Sequence, residues 1–260
     1  MKNVRLCAVL AALAMTATAC QLTTGEDAEV FCDPALETQV SMARGPDVDF
    51  GTATEEEMMT ALGEFAERVG PLLDELEANA PEQIQDEVAI VASGARATIE
   101  TGDEAALDSE EYNAAEHAVD QFVVDNCDVE NYQVEGFDYG YNGVPATVPA
   151  GQVAFEFSNT GDELHEMVIF RINDESMTVE QLLEMPEEEA LSSVTFSGVS
   201  FAAPGNEDIL FTDLDAGRYA IVCFIPVGTE SVDDLPEDES GVSQPPHFTQ
   251  GMVAEFTVEG

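Results

Sequence analysis

The chain has 260 residues, room for one large domain or two small ones, and its 45% hydrophobic and 23% charged residues are those of a globular protein. Lys and Arg number 7 against 54 Asp and Glu, a formal net charge of −47, which excludes a nucleic-acid binder held by phosphate contacts and a polybasic membrane-surface protein. Acidity of this kind fits a salt-rich environment, where dissolved ions screen the self-repulsion; a cationic partner is the alternative.

Lys2 and Arg5 give the chain a positive start. The apolar stretch from Leu6 to Thr18 that follows is too short for a bilayer, which takes about 20 residues. It runs into Ala17-Thr18-Ala19-Cys20, and small residues before a cysteine resemble the lipobox of bacterial lipoproteins, with Ala17 where that motif usually has Leu. The resemblance implies a signal peptide over residues 1–19, a lipid on Cys20 and a tether over residues 20–30. The mature chain would then sit at the outer face of the cell membrane. A plain secretory signal cut near Ala19 is the other reading, and both place the protein outside the cytoplasm.

Of five cysteines, Cys7 falls within the signal and Cys20 is the lipid site. In an oxidising compartment Cys32 and Cys127, which flank a helical region, form a natural disulfide pair. Cys223 is left over, and an unpaired thiol in an exported protein calls for an explanation.

Between residues 31 and 128 the apolar period is helical. Asp33-Pro34 reads as an N-cap followed by proline in the first turn. Thr54-Glu55-Glu56-Glu57 reads as a capping box, followed by Met58, Leu62, Phe65, Val69, Leu72 and Leu76 on one face. Gly70-Pro71 is expected to kink or split that helix. Pro81 opens another, with Ile84, Val88, Val91, Ala95 and Ile99 inward, ending at Thr101-Gly102-Asp103. Ser109 opens the last, with Tyr112, Ala115, Val119 and Phe122 inward. His117 reads as a boundary residue on its surface. Together these make a small helical bundle.

From about residue 131 to residue 260 the period becomes two. Val153, Phe155 and Phe157 alternate with polar or small residues, as do Val168 and Phe170, Ile209 and Phe211, Tyr219, Ile221 and Cys223, and Phe256 and Val258. Turn residues separate them at Pro149-Ala150-Gly151, Asn159-Thr160-Gly161-Asp162, Pro204-Gly205-Asn206 and Asp215-Ala216-Gly217. Many short strands with such turns predict a β-sandwich, so the fold class is a two-domain α + β chain. A short helical insert starts at the capping box Thr178–Gln181, with a second piece after Pro186.

The chain has three histidines, and two of them, His165 and His247, fall in the β half beside predicted strands. With Cys223 and Met252 they supply two imidazoles, one thiolate and one thioether, the ligand set of a type 1 copper site. A metal on Cys223 also accounts for the leftover thiol. Residues 131–260 resemble the cupredoxins, the blue copper proteins. The likeness lies in Pro149-Ala150-Gly151 through Asn159-Thr160-Gly161 and His165, in Ala216-Gly217-Arg218-Tyr219 leading to Val222-Cys223, and in Pro246-His247-Phe248-Thr249-Gln250-Gly251-Met252. It implies a Greek-key sandwich with one copper ion and one-electron transfer with membrane or extracytoplasmic redox proteins. The family usually places only a few residues between the cysteine and the second histidine. Here there are 23, including the acidic run Asp233–Glu239. Such a loop leaves the site intact only if Phe224-Ile225-Pro226 and Pro245-Pro246 pack together as its two feet.

Haem and dithiol motifs, a phosphate-binding glycine loop and a Gly-x-Ser-x-Gly elbow are absent from the sequence, and no acid–base pair stands out among so many carboxylates. The reading is therefore a non-enzymatic copper-binding protein that carries single electrons. Copper storage or delivery is one alternative, and a metal-free interaction module on the same fold is another.

Overall fold

The structure is a computed structural model that describes residues 26–48, 53–101, 106–107, 109–235 and 244–260. The expected signal, Cys20 and the acidic run from Pro236 onward lie outside these residues. Among the described residues no helix is long and apolar enough to cross a membrane.

Four helices come first: α1 (Glu26–Arg44), α2 (Glu55–Ala78), α3 (Gln85–Thr101) and α4 (Glu110–Asn126). Phe31, Val69, Leu73, Val88 and Val119 are fully buried between them. The capping box holds: Glu57 N–H donates to Thr54 Oγ1 at 3.3 Å, and Thr54 N–H donates to Glu57 Oε2 at 2.9 Å. Ser109 caps α4 by accepting from Tyr112 N–H at 3.1 Å. His117 sits on the helix surface as expected, its Nε2 3.6 Å from Glu207 Oε1.

The prolines behave differently from expectation. Helix α1 already begins at Glu26, within the segment read as tether, and Pro34 lies inside it. Pro71 lies inside an unbroken α2. Each proline removes one donor from the helix ladder, a cost set against burial on either side of it. Phe31 and Ala35 are fully buried around Pro34, and Val69 and Leu73 are fully buried around Pro71. Helix α3 in turn starts at Gln85, after a turn closed by Ile84 N–H on Pro81 O at 3.0 Å.

The strands begin at β1 (Glu130–Phe137), close behind the end of α4. They continue as β2 (Gly140–Asn142), β3 (Thr147–Pro149), β4 (Gly151–Asn159), β5 (His165–Ile172), β6 (Val194–Ala202), β7 (Glu207–Leu214), β8 (Gly217–Val222) and β9 (Val253–Glu259). They form two sheets, ordered β2-β1-β4-β7 and β3-β9-β8-β5-β6, with β1 parallel to β4, β3 parallel to β9 and the remaining pairs antiparallel. Val153, Phe155, Phe157, Met167, Ile169, Leu210, Tyr219, Ile221 and Phe256 fill the space between the sheets. This is the expected β-sandwich behind a helical region.

Both sheets are also covered on their outer faces. Ala154, Ile209 and Phe211 belong to the helical core, so Ile209 and Phe211 face the bundle while their neighbour Leu210 faces the sandwich interior. On the other side, α5 (Val179–Leu183) and α6 (Glu187–Ser192) pack over β5 and β8 through Val179, Leu182, Phe170, Ile172, Ala220 and Val222. A strand buried on both faces loses the clean alternation of a half-exposed one.

Cys32 and Cys127 are disulfide-bonded, tying α1 to the residue that caps α4 just before β1. Replacing both with serine should lower stability by roughly 2–4 kcal/mol, read as a shifted urea midpoint.

Asp120 on α4 is 5% exposed and accepts a short hydrogen bond from Gln39 Nε2. Burial, and then the charges of Glu116 and Asp208, push its carboxyl well above the usual range. A carboxyl whose pKa is raised by folding stabilises the fold fully at low pH and loses that contribution as pH climbs through the folded value. Asp120→Asn keeps an acceptor for Gln39. It should therefore raise the denaturation midpoint near neutral pH, with the gain over wild type shrinking toward pH 4.

Candidate metal centre

Three loops at one end of the sandwich bring the site together. His165 opens β5, Cys223 follows β8, and His247 opens a 3-10 turn (His247–Gln250) ahead of β9. The loop before β5 is built around Asn159, which is 2% exposed. Its Nδ2 donates to Glu163 O at 2.8 Å and to Ala202 O at 2.7 Å, and its Oδ1 accepts from Gly161 N–H at 2.8 Å. The Asn159-Thr160-Gly161 motif thus works as a clamp that sets where His165 enters the sheet.

The long excursion between Cys223 and His247 is closed at its feet. Pro226 and Pro246 form an antiparallel bridge. Val227 N–H donates to Pro245 O at 3.0 Å, His247 N–H to Ile225 O at 2.8 Å, and Phe248 N–H to Cys223 O at 2.9 Å. The rings of Phe224 and Phe248 meet edge to face at 5.5 Å. The loop therefore leaves and returns through one short ladder, and His247 is delivered next to Cys223.

His165, Cys223 and His247 are all fully buried. The two Nδ1 atoms lie 3.1 Å apart, Cys223 Sγ lies 3.3 Å from His247 Nδ1, and all three ligand atoms fall within 4.8 Å of one another. Trigonal coordination with metal–nitrogen bonds of about 2.0 Å gives ligand-to-ligand edges of about 3.5 Å, so the triangle suits a first-row ion. Met252 lies close behind the 3-10 turn. Gly251, at φ 114°, turns the chain out of the 3-10 turn in a conformation that favours glycine. Cys223 N–H then donates to Met252 O at 3.3 Å, and the buried Met252 side chain packs in one cluster with Cys223, Leu164 and Ile225.

The far nitrogen of each imidazole meets a carboxylate. His165 Nε2 is 2.8 Å from Asp138 Oδ1, and His247 Nε2 is 3.0 Å from Glu163 Oε2. Burial opposes ionisation of Asp138, but hydrogen bonds from Asp162 N–H and His165 outweigh it and hold the carboxyl below its usual value. Glu163 is likewise held low against its burial by Tyr139 O–H, Gly228 N–H and His247. An ionised carboxylate only accepts, so each Nε2 carries the ring proton and each Nδ1 keeps its lone pair. Burial pushes both imidazole pKa values down and the Cys223 thiol up to about 12. Two neutral rings thus aim lone pairs at one another beside a sulfur, an arrangement that a cation satisfies.

Glu166 follows His165 and is also buried. Its backbone N–H points at Cys223 Sγ at 3.5 Å, while its carboxylate accepts from Phe224 N–H at 2.6 Å; burial raises this carboxyl to about 7. Of the residues singled out in the sequence, His165, Cys223 and His247 come together and Met252 packs beside Cys223, whereas Asp138 and the ring-facing place of Glu163 were not anticipated. The one signal for Glu163 is its position two residues before His165, within the same loop.

No protein-family model matches the chain, and no curated protein matches it. Among solved structures, reduced auracyanin from the photosynthetic bacterium Roseiflexus castenholzii aligns over 50% of this chain and 97% of its own, at 18% identity and a TM-score of 0.34. Rusticyanin from Thiobacillus ferrooxidans aligns over 50% and 76%, at 14% identity and a TM-score of 0.31. Auracyanin A, a "blue" copper protein from Chloroflexus aurantiacus, aligns over 50% and 99%, at 19% identity and a TM-score of 0.27. At such scores the weight falls on the strand order and the His–Cys–His group of this chain.

A β-carbon on Gly161 would run into Asp138 Oδ1 and come within 2.6 Å of His165 Nε2. Gly161→Ala should force that pair apart and weaken metal affinity about 10–100-fold in chelator competition, with the far-UV circular dichroism unchanged.

Proposed function

We propose that the C-terminal half is a copper-binding cupredoxin that carries single electrons, with His165, Cys223 and His247 as the strong ligands and Met252 as the weak axial one. The observation that carries this reading is the meeting of a buried, unpaired thiol with two imidazole Nδ1 atoms whose ring protons are already engaged elsewhere. A trigonal His₂Cys set with a long axial thioether favours copper over zinc, which takes four strong tetrahedral ligands. Bound copper supplies a one-electron couple between Cu(I) and Cu(II).

The chain's own part is to hold the donors still. Cys223 and His165 stand at the ends of paired strands, and His247 is pinned by the ladder at the loop feet. A frame packed on both faces resists rearrangement when the charge at the site changes. Full burial of all three donors keeps water from competing for the metal. We read Cys20 as a lipid anchor at the outer face of the cell membrane and membrane or extracytoplasmic redox proteins as the partners. These rest on the lipobox-like Ala17-Thr18-Ala19-Cys20 and on the cupredoxin-like motifs, and the reading assigns no catalytic residue.

The test is copper loading of the purified protein. An intense visible thiolate-to-copper band that survives dialysis and disappears in Cys223→Ser is the expected result. A band persisting in Cys223→Ser rejects the ligand assignment. Tight Cu(I) binding with no band points to storage or delivery instead. Loss of all copper on dialysis leaves a metal-free interaction module.

A further inference from the structure

The two carboxylates behind the imidazoles are placed more carefully than a buried neutral ring requires. An imidazole with one N–H needs only an acceptor, and a backbone carbonyl is enough. Here each ring faces an anion that is itself mostly covered, with side-chain exposures of 28% for Asp138 and 16% for Glu163. Each anion is anchored from elsewhere in the fold. Asp138, in the turn between β1 and β2, accepts Asp162 N–H at 3.1 Å. Glu163 accepts Tyr139 O–H at 2.6 Å and a short hydrogen bond from Gly228 N–H, within the Cys223–His247 excursion. The edge of Tyr139 also packs against the His247 ring, with centroids 4.9 Å apart. A second tie between the same loops is Leu164 N–H on Thr229 O at 2.8 Å.

We propose that Asp138 and Glu163 are positioning residues of the centre. Each accepts a hydrogen bond from Nε2–H of one imidazole and turns that ring's Nδ1 lone pair toward Cys223, and Glu163 also fastens the long loop to the ring that the loop delivers. The inference rests on the copper reading above and goes beyond its ligand set. Carboxylates behind metal-bound imidazoles fix the tautomer and raise the basicity of the ligating nitrogen. They also bias the couple. A Cu(II)–thiolate unit bears one net positive charge and its Cu(I) counterpart bears none, so two adjacent anions stabilise the oxidised form over the reduced one.

The experiment compares wild type with Glu163→Gln, Asp138→Asn and Glu163→Leu after copper loading. The readouts are the reduction potential, the thiolate-to-copper band, and Cu(I) and Cu(II) affinities from chelator competition. The amide variants keep an acceptor oxygen but drop the charge. They should retain the band and lose at least tenfold in Cu(II) affinity relative to Cu(I), a rise in potential of about 59 mV per tenfold for a one-electron couple. Glu163→Leu drops the acceptor as well and should also shift and broaden the band. If Glu163→Leu does not fold, the two amide variants decide the matter alone. Wild type that forms the band, with variants whose potentials match it, overturns this assignment and leaves the copper reading standing. Wild type that takes up no copper overturns both.

Discussion

The site depends on one stretch of backbone pairing: residues 223–227 against residues 245–248. Without it, a thiol at the end of β8 and an imidazole 24 positions later would have no reason to meet. Closing a loop costs entropy that grows only with the logarithm of its length, about 0.6 kcal/mol per doubling. Lengthening a connection of about three residues to 23 is roughly three doublings, or about 2 kcal/mol. Three backbone hydrogen bonds cross the feet of the excursion, each contributing about 1 kcal/mol net, and the Phe224–Phe248 contact adds to them. The two sides are of the same size. The insertion is tolerated because its ends are paired, whatever its middle does.

The helical core extends into the sheet, and this changes what the sandwich can do. Ala154, Ile209 and Phe211 are buried against the helices, and Phe170, Ala220 and Val222 are buried under α5 and α6. With both outer faces covered, each sheet is held from two sides, while the connecting loops at the His165 end make the centre. Rigidity and chemistry therefore occupy different parts of the same module. The disulfide acts at the junction, since Cys127 caps α4 three residues before β1 begins.

Much of this was legible from residue order. The four ligand candidates stand out because His, Cys and Met are few in the β half and fall at strand ends. The capping boxes at Thr54 and Thr178 are local hydrogen-bond patterns and need no tertiary context. The misses share one cause, which is burial by elements distant in sequence. Pro34 looks like a helix start and Pro71 like a break until the neighbours that hold their helices are known. Ile209 and Phe211 look like sandwich core until the bundle is seen on the other face of β7. Asp138 and Glu163 are two acids among 54, and apart from the place of Glu163 two residues before His165 nothing in composition or spacing separates them from the solvated majority. They become distinct only when folding places them against ring nitrogens.

That contrast also bears on the acidity of the chain. Three of the arginines serve local ends: Arg96 bridges to Asp74 and Glu77, Arg218 to Glu255, and Arg68 donates to Gly45 O and lies over the Phe65 ring. Few cations remain to offset a formal charge of −47, so the surface presents a negative field that attracts cations at low ionic strength. Screening shortens the reach of that field to about 10 Å at 0.1 M salt and about 3 Å at 1 M. In concentrated salt the many outer carboxylates act on the solvent and hardly at all on the centre. Asp138 and Glu163 keep their influence because they touch the rings directly and are shielded from ions by the protein around them.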